Sequence, residues 1–160
     1  MAIDHNKSIN NFISILLLTG YLCIGFIPNW EAVDKIAPQW LIMSLFNLLV
    51  GIYIFIKRKY FGISITTTLN SILVIIYFSF IVWAFFSYYY AINSTEVLVN
   101  IARQFNVMIM FIHMGILLFA IKQKASVISM IITIILFIEV YSVIEQAMEM
   151  IKNYGEIYSG

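Results

Sequence analysis

Apolar residues in this chain run on in long blocks instead of alternating with polar ones. Five blocks, 9–27, 39–56, 63–86, 105–121 and 127–144, are separated by short polar pieces. A helix rising 1.5 Å per residue needs about 20 apolar residues to cross a hydrocarbon core of about 30 Å. Each block is near that length. A helix apolar on every side belongs in lipid or inside a large core, and 160 residues leave no room for such a core beside five blocks. The pattern predicts an all-α integral membrane protein, 1–160 forming a single helical domain with five transmembrane helices.

The polar pieces predict how the helices join. Segments 57–62 and 122–126 read as tight turns at one face, so that successive helices are antiparallel neighbours. Pro28 is placed to close the first helix and Pro38 to open the second, where a missing N–H costs nothing. Residues 29–37 mix polar and apolar types and read as a stretch lying along the interface. In 91–104, Ser94 or Thr95 can cap a helix with Glu96 in its first turn. Val97, Leu98, Ile101 and Phe105 follow at helical spacing. This predicts a short interfacial helix before the fourth span, or an early extension of that span, carrying Arg103. Beyond Glu145 an amphipathic helix is expected to about Asn153.

Charge sets an expected orientation. Lys7, Lys57, Arg58, Lys59, Lys122 and Lys124 fall on one face, against Lys35, Arg103 and Lys152 on the other. The positive-inside rule then places the N-terminus in the cytoplasm and the C-terminus outside. Trp30, Trp40 and Trp83 fall at span ends on the outer face, with Tyr88, Tyr89 and Tyr90, while Tyr60 and Phe61 mark the inner one. Amphipathic rings favour headgroup depth at either surface. Only 11% of the residues are charged, the net charge is +1, and the mean hydropathy is +0.96. These values give no electrostatic case for nucleic acid. The first block lacks a small-x-small cleavage site, so it reads as a retained span and not a signal peptide.

Polar residues inside the blocks are the candidates for chemistry, because lipid makes them costly. Glu139 lies about five residues from the outer end of the last block, roughly 7–8 Å deep. A hydrated or helix-paired carboxylate is its ordinary use; a proton relay or a substrate contact is the functional one. His113 stands near the middle of the fourth block with no ligand-spaced histidine, cysteine or glutamate beside it. An interhelical hydrogen bond is its ordinary use, proton transfer the functional one. Asn47, Asn70, Ser44, Ser71, Ser79 and Thr66–Thr68 are of the kind that joins helices. No metal site and no cofactor follow from this set. Cys23, the sole cysteine, reads as a packing residue. Arg103 is either a snorkelling anchor or a bidentate contact to a lipid phosphate or lipid-linked diphosphate.

Two segments carry a family resemblance. Ile27-Pro28-Asn29-Trp30-Glu31-Ala32-Val33-Asp34-Lys35-Ile36-Ala37-Pro38-Gln39-Trp40-Leu41 resembles the first outer loop of the O-antigen ligase and polymerase-like membrane proteins of Bacteroidota. Trp83-Ala84-Phe85-Phe86-Ser87-Tyr88-Tyr89-Tyr90-Ala91-Ile92-Asn93 followed by Glu96-Val97-Leu98-Val99-Asn100-Ile101-Ala102-Arg103 is similar to their next outer segment. The resemblance implies a glycosyltransferase of the bacterial inner membrane, acting on undecaprenyl-diphosphate-linked glycan at the periplasmic face without metal or nucleotide-sugar donor. Arg103 would contact the diphosphate. Such proteins have more spans and a large later loop that supplies the main catalytic residues, so the chain would be their N-terminal portion, inactive alone and partnered by further spans or subunits. The alternative expectation is a complete small polytopic protein, acting as a scaffold or as a transporter subunit using Glu139 and His113.

Overall fold

The computed structural model describes residues 2–27, 36–121 and 124–158, and among them every regular element is helical. They are α1 (Ala2–Cys23), which tightens into a 3-10 turn at Ile24–Phe26, α2 (Ala37–Ile56), α3 (Arg58–Leu69), α4 (Ile72–Ser87), α5 (Ser94–Ala120) and α6 (Lys124–Tyr158). The chain divides into two units, Met1–Lys122 and Gln123–Gly160. Among the described residues four helices are long and apolar enough to cross a membrane, or five if the bent pair α3–α4 makes one crossing.

The surface of the first unit supports the membrane reading. On α2, Leu41, Leu45, Leu48, Ile52 and Phe55 are exposed, while Met43, Asn47, Val50 and Ile54 are buried. The helix thus turns its large hydrophobic side chains outward and one of its few polar ones inward. In water such a face would leave a contiguous apolar patch that soluble proteins rarely tolerate; in lipid it costs nothing.

Helix α5 is the hub, packing against α1, α2, α3 and α4. Contacts along it fix directions. Trp40, Asn47 and Gly51 of α2 meet Arg103, Asn106 and His113 in that order, so α2 and α5 run parallel. Thr68 meets Gly115, Tyr77 bonds Gln104, and Phe85 shares a wall with Leu98, so α3 and α4 together run antiparallel to α5. The bent pair therefore carries the chain from the Lys57 end of the bundle to the Trp40 end.

Several expectations are corrected here. The block 63–86 is not one helix. It breaks at Asn70–Ser71, where α3 and α4 meet at 64°. Thr66 and Thr67 turn their hydroxyls back onto the carbonyls of Gly62 and Ile63, which loosens the ladder ahead of the break. Asn70 N–H then bonds the Thr66 carbonyl and Ser71 N–H the Thr68 carbonyl, a three-residue closure, and Ser71 is extended. The tight turn expected over 57–62 is Lys57 alone, since α3 starts at Arg58.

No separate interfacial helix precedes the fourth span; α5 is continuous from Ser94, the extension alternative. Its cap is Asn93, not Ser94 or Thr95, with the side-chain oxygen accepting from the Glu96 N–H at 3.3 Å. The final helix runs past Asn153 to Tyr158. Pro38 does sit in the first turn of α2. The expected interfacial stretch, with Pro28, Trp30 and Lys35, falls mostly outside the described residues, as does Lys122.

Candidate functional site: a polar seam beside a lipid-facing groove

On α5, Arg103, Asn106, Met110 and His113 share one stripe, since steps of three and four residues keep a helical face. That stripe faces α1 and α2. Asn106 Nδ2 donates to Ser44 Oγ at 2.8 Å, and Asn47 Nδ2 donates to the Asn106 backbone oxygen at 2.9 Å and to Asn106 Oδ1. Tyr21 on α1 places its hydroxyl 2.8 Å from Asn47 Oδ1 and 2.8 Å from His113 Nδ1. Four polar side chains from three helices, with Ser44, thus form one chain across the bundle. Phe46 packs edge-on against the Tyr21 ring at 4.8 Å and holds it in place.

The hydrogen bonds of this seam have one direction. Ser44 Oγ donates to the Trp40 carbonyl, which can only accept, so Ser44 Oγ must accept from Asn106 Nδ2. That turns Asn106 Oδ1 toward Asn47 Nδ2, and Asn47 Oδ1 toward Tyr21. With its single proton spent on Asn47, Tyr21 accepts from His113, which is the Nδ1–H tautomer. The donors follow in the order His113, Tyr21, Asn47, Asn106 and Ser44, and the chain ends on the Trp40 carbonyl, which accepts. Two carboxamides stand in this chain, and an amide passes a proton on only through an unfavourable tautomer. The seam joins helices and orients groups; it is not built as a proton wire.

Beside it lies an open groove of about 520 Å³ between α2 and α5, with Ser44, Asn47, Gly51 and Asn106 in its floor and Leu48, Ile52 and Phe55 along its rim. A second hollow of about 510 Å³ continues from Ser44 and Asn106 toward Phe85 and Leu98. Apolar walls over a few converging polar groups are what sites for small amphiphiles look like.

Of the residues singled out by sequence, Arg103 lies one turn of α5 before the groove residue Asn106 and outside the groove lining itself, its guanidinium 5.6 Å from the centre of the Trp40 ring. His113 joins the seam in its ordinary role, an interhelical hydrogen bond. Arg103 and His113 sit on one stripe ten residues apart, about 15 Å along the helix. Glu139 belongs to the other unit, exposed on α6 with Ile135, Leu136 and Val143 within a turn of it. Among the described residues no group of three histidine, cysteine, aspartate or glutamate side chains could hold a metal ion.

Sequence reasoning missed Tyr21 and Asn106. Spacing could have found Asn106, three residues after Arg103 and seven before His113 on the same face. Tyr21 carried no such signal in a chain with 10 tyrosines. Comparisons of this chain with protein-family models, curated proteins and solved structures found no match.

Proposed function

We propose that this chain is a multi-pass membrane protein whose first unit binds phosphorylated lipid, with Arg103 as the phosphate contact and the groove along α2 and α5 as the seat of the chain. The observation that carries this reading is the Arg103 guanidinium held 5.6 Å from the Trp40 ring centre, one turn of α5 before Asn106, whose side chain stands in the floor of a lipid-facing groove. A guanidinium beside an aromatic ring is attracted to the ring face, and its planar fork of donors matches a phosphate. The narrower reading makes the chain the N-terminal portion of an O-antigen ligase or polymerase-like glycosyltransferase in the bacterial inner membrane, guiding undecaprenyl-diphosphate-linked glycan at the periplasmic face. It rests on the resemblance of the segments around Trp40 and Arg103, and it assigns the reaction to further spans or partner subunits. In this reading the N-terminus is cytoplasmic and α3–α4 is one broken crossing, the third of five.

The test is binding of undecaprenyl phosphate, with undecaprenyl methyl ether as the uncharged control, to the protein in phosphatidylcholine nanodiscs. Arg103→Ala is expected to weaken the phosphate-bearing lipid about tenfold or more and to leave undecaprenyl methyl ether unchanged. Arg103→Lys should recover only part, because an ammonium cannot make the planar two-point contact. Equal binding of the two lipids by the wild type, or an Arg103→Ala variant that still prefers the phosphate, would sink the reading.

A second reading is favoured by the seam itself, whose hydrogen bonds all close within the bundle. It makes the chain a scaffold that holds other membrane subunits. Purification as a discrete hetero-oligomer with no preference for phosphorylated lipid would select it.

A further inference from the structure

The direction of the seam leaves one atom unspent. His113 Nδ1 carries the ring proton and gives it to Tyr21, so Nε2 keeps a bare lone pair. Among the described residues nothing donates to it. The ring stands behind Gly51, a residue in the groove floor, and its Cε1–Nε2 edge lies 3.5–3.6 Å from where a Cβ on Gly51 would be. A side chain at position 51 would occupy the space against that ring edge. Glycine leaves that space open.

We infer that Gly51 is a window through which His113 Nε2 accepts a hydrogen bond from the hydroxyl of a long-chain amphiphile lying in the groove. Three features select that ligand class. The acceptor is fixed by a chain of hydrogen bonds reaching back to Trp40, so it is preorganised for a donor and not for an anion. The rim around it, Leu48, Ile52 and Phe55, is apolar and laterally open, suited to an alkyl or prenyl chain entering from the bilayer. Hydrocarbon offers a hydroxyl no partner at all, so one bare nitrogen there is a strong discriminator. The site is distinct from the Arg103 phosphate contact, about 15 Å further along α5, and does not depend on it.

A photoreactive hexadecanol with a diazirine in its chain, and its methyl ether as the donor-free analogue, test this in phosphatidylcholine nanodiscs. In the wild type the alcohol should label residues 44–55 at least fivefold more than the ether. Gly51→Ala should bring the alcohol down to the level of the ether, its new Cβ making only ordinary contact with the ring edge. His113→Phe should do the same. Should that variant fail to fold, Gly51→Ala carries the test alone. Nitrogen-15 spectra of the histidine ring supply an independent reading. Nδ1 should be the protonated nitrogen, and the Nε2 resonance should move on adding hexadecanol and not on adding the ether.

Equal labelling by alcohol and ether, an alcohol preference that survives Gly51→Ala, or an Nε2–H tautomer each overturns the inference. Undecaprenyl phosphate binding reads Arg103 and hexadecanol labelling reads His113, so either proposal can fail with the other intact.

Discussion

Asn47 is the residue on which the seam turns, because its amide accepts from α1 and donates to α5. Asn47→Leu would fill the volume and suit lipid, yet leave the Tyr21 hydroxyl and Asn106 Oδ1 without that partner. Orphaning a buried polar group costs about 1–3 kcal/mol. Interhelical hydrogen bonds in membranes average only about 0.6 kcal/mol in double-mutant cycles and reach about 1.7. The larger figure therefore belongs to the single substitution and the smaller to the pair. In detergent-titrated unfolding, Asn47→Leu is expected to destabilise by about 1–3 kcal/mol. The Tyr21→Phe and Asn47→Leu cycle should couple by about 0.6–1.7 kcal/mol. A stable Asn47→Leu protein would mean that the seam does not hold the helices. The sequence made Asn47, Ser44 and His113 legible because they are polar types in apolar runs. It could not say that they meet, which depends on α5 lying parallel to α2. Tyr21 stayed hidden because an aromatic ring in an apolar run reads as packing until a partner for its hydroxyl is known.

Elements were legible to the extent that apolar length determines them. Helix α2 begins and ends close to the block that predicted it, and the apolar stretch Ser8–Phe26 matches the first block, although α1 itself starts at Ala2; short of a closed barrel, a helix is the way to satisfy every backbone group in lipid. The break at Asn70–Ser71 was not legible, because hydropathy counts Thr66–Thr68 as mild and does not register hydroxyls bonding back onto the ladder. Length offered a hint. Arg58 to Ser87 as one straight helix would measure about 45 Å at 1.5 Å per residue, well beyond a 30 Å core. The tightest test of how these elements fit is Gly115, where a Cβ would come within 2.7 Å of Thr68 Cγ2 across the α3–α5 contact. Thr68 is buried in the last turn of α3 and has little room to yield. Gly115→Ala should destabilise the bundle by about 1–3 kcal/mol through overpacking, despite the better helix propensity of alanine. Adding Thr68→Ala should recover most of that loss, giving a strongly non-additive pair in the same unfolding assay. Gly20 looks tighter on paper, with Phe46 Cζ at 2.5 Å, but the tip of a ring can swing aside. Additive effects at Gly115 and Thr68 would show that α3 and α5 do not meet there.

At the scale of the whole molecule, the parallel run of α2 and α5 decides what the bent pair does. Both helices start at the Trp40 end, so the chain must return there between Lys57 and Ser94. A re-entrant loop would leave it at the Lys57 end and force α5 to run the other way, which would separate Arg103 from Trp40 and Asn106 from Asn47. Two different accounts of orientation thus rest on one topology: Lys57, Arg58 and Lys59 stand together where α2 gives way to α3, and the phosphate site proposed at Arg103 lies at the opposite end of that unit. In a Cys23→Ser background, single cysteines at Lys59 and Ser94 can be labelled on intact cells with a membrane-impermeant maleimide. Ser94→Cys should react from outside, and Lys59→Cys only after permeabilisation. Labelling of both from the same side would make α3–α4 re-entrant and contradict the parallel register of α2 and α5. The reversed pattern would keep the bundle but turn it over, placing Arg103 at the cytoplasmic face, where a periplasmic lipid-linked glycan could not reach it.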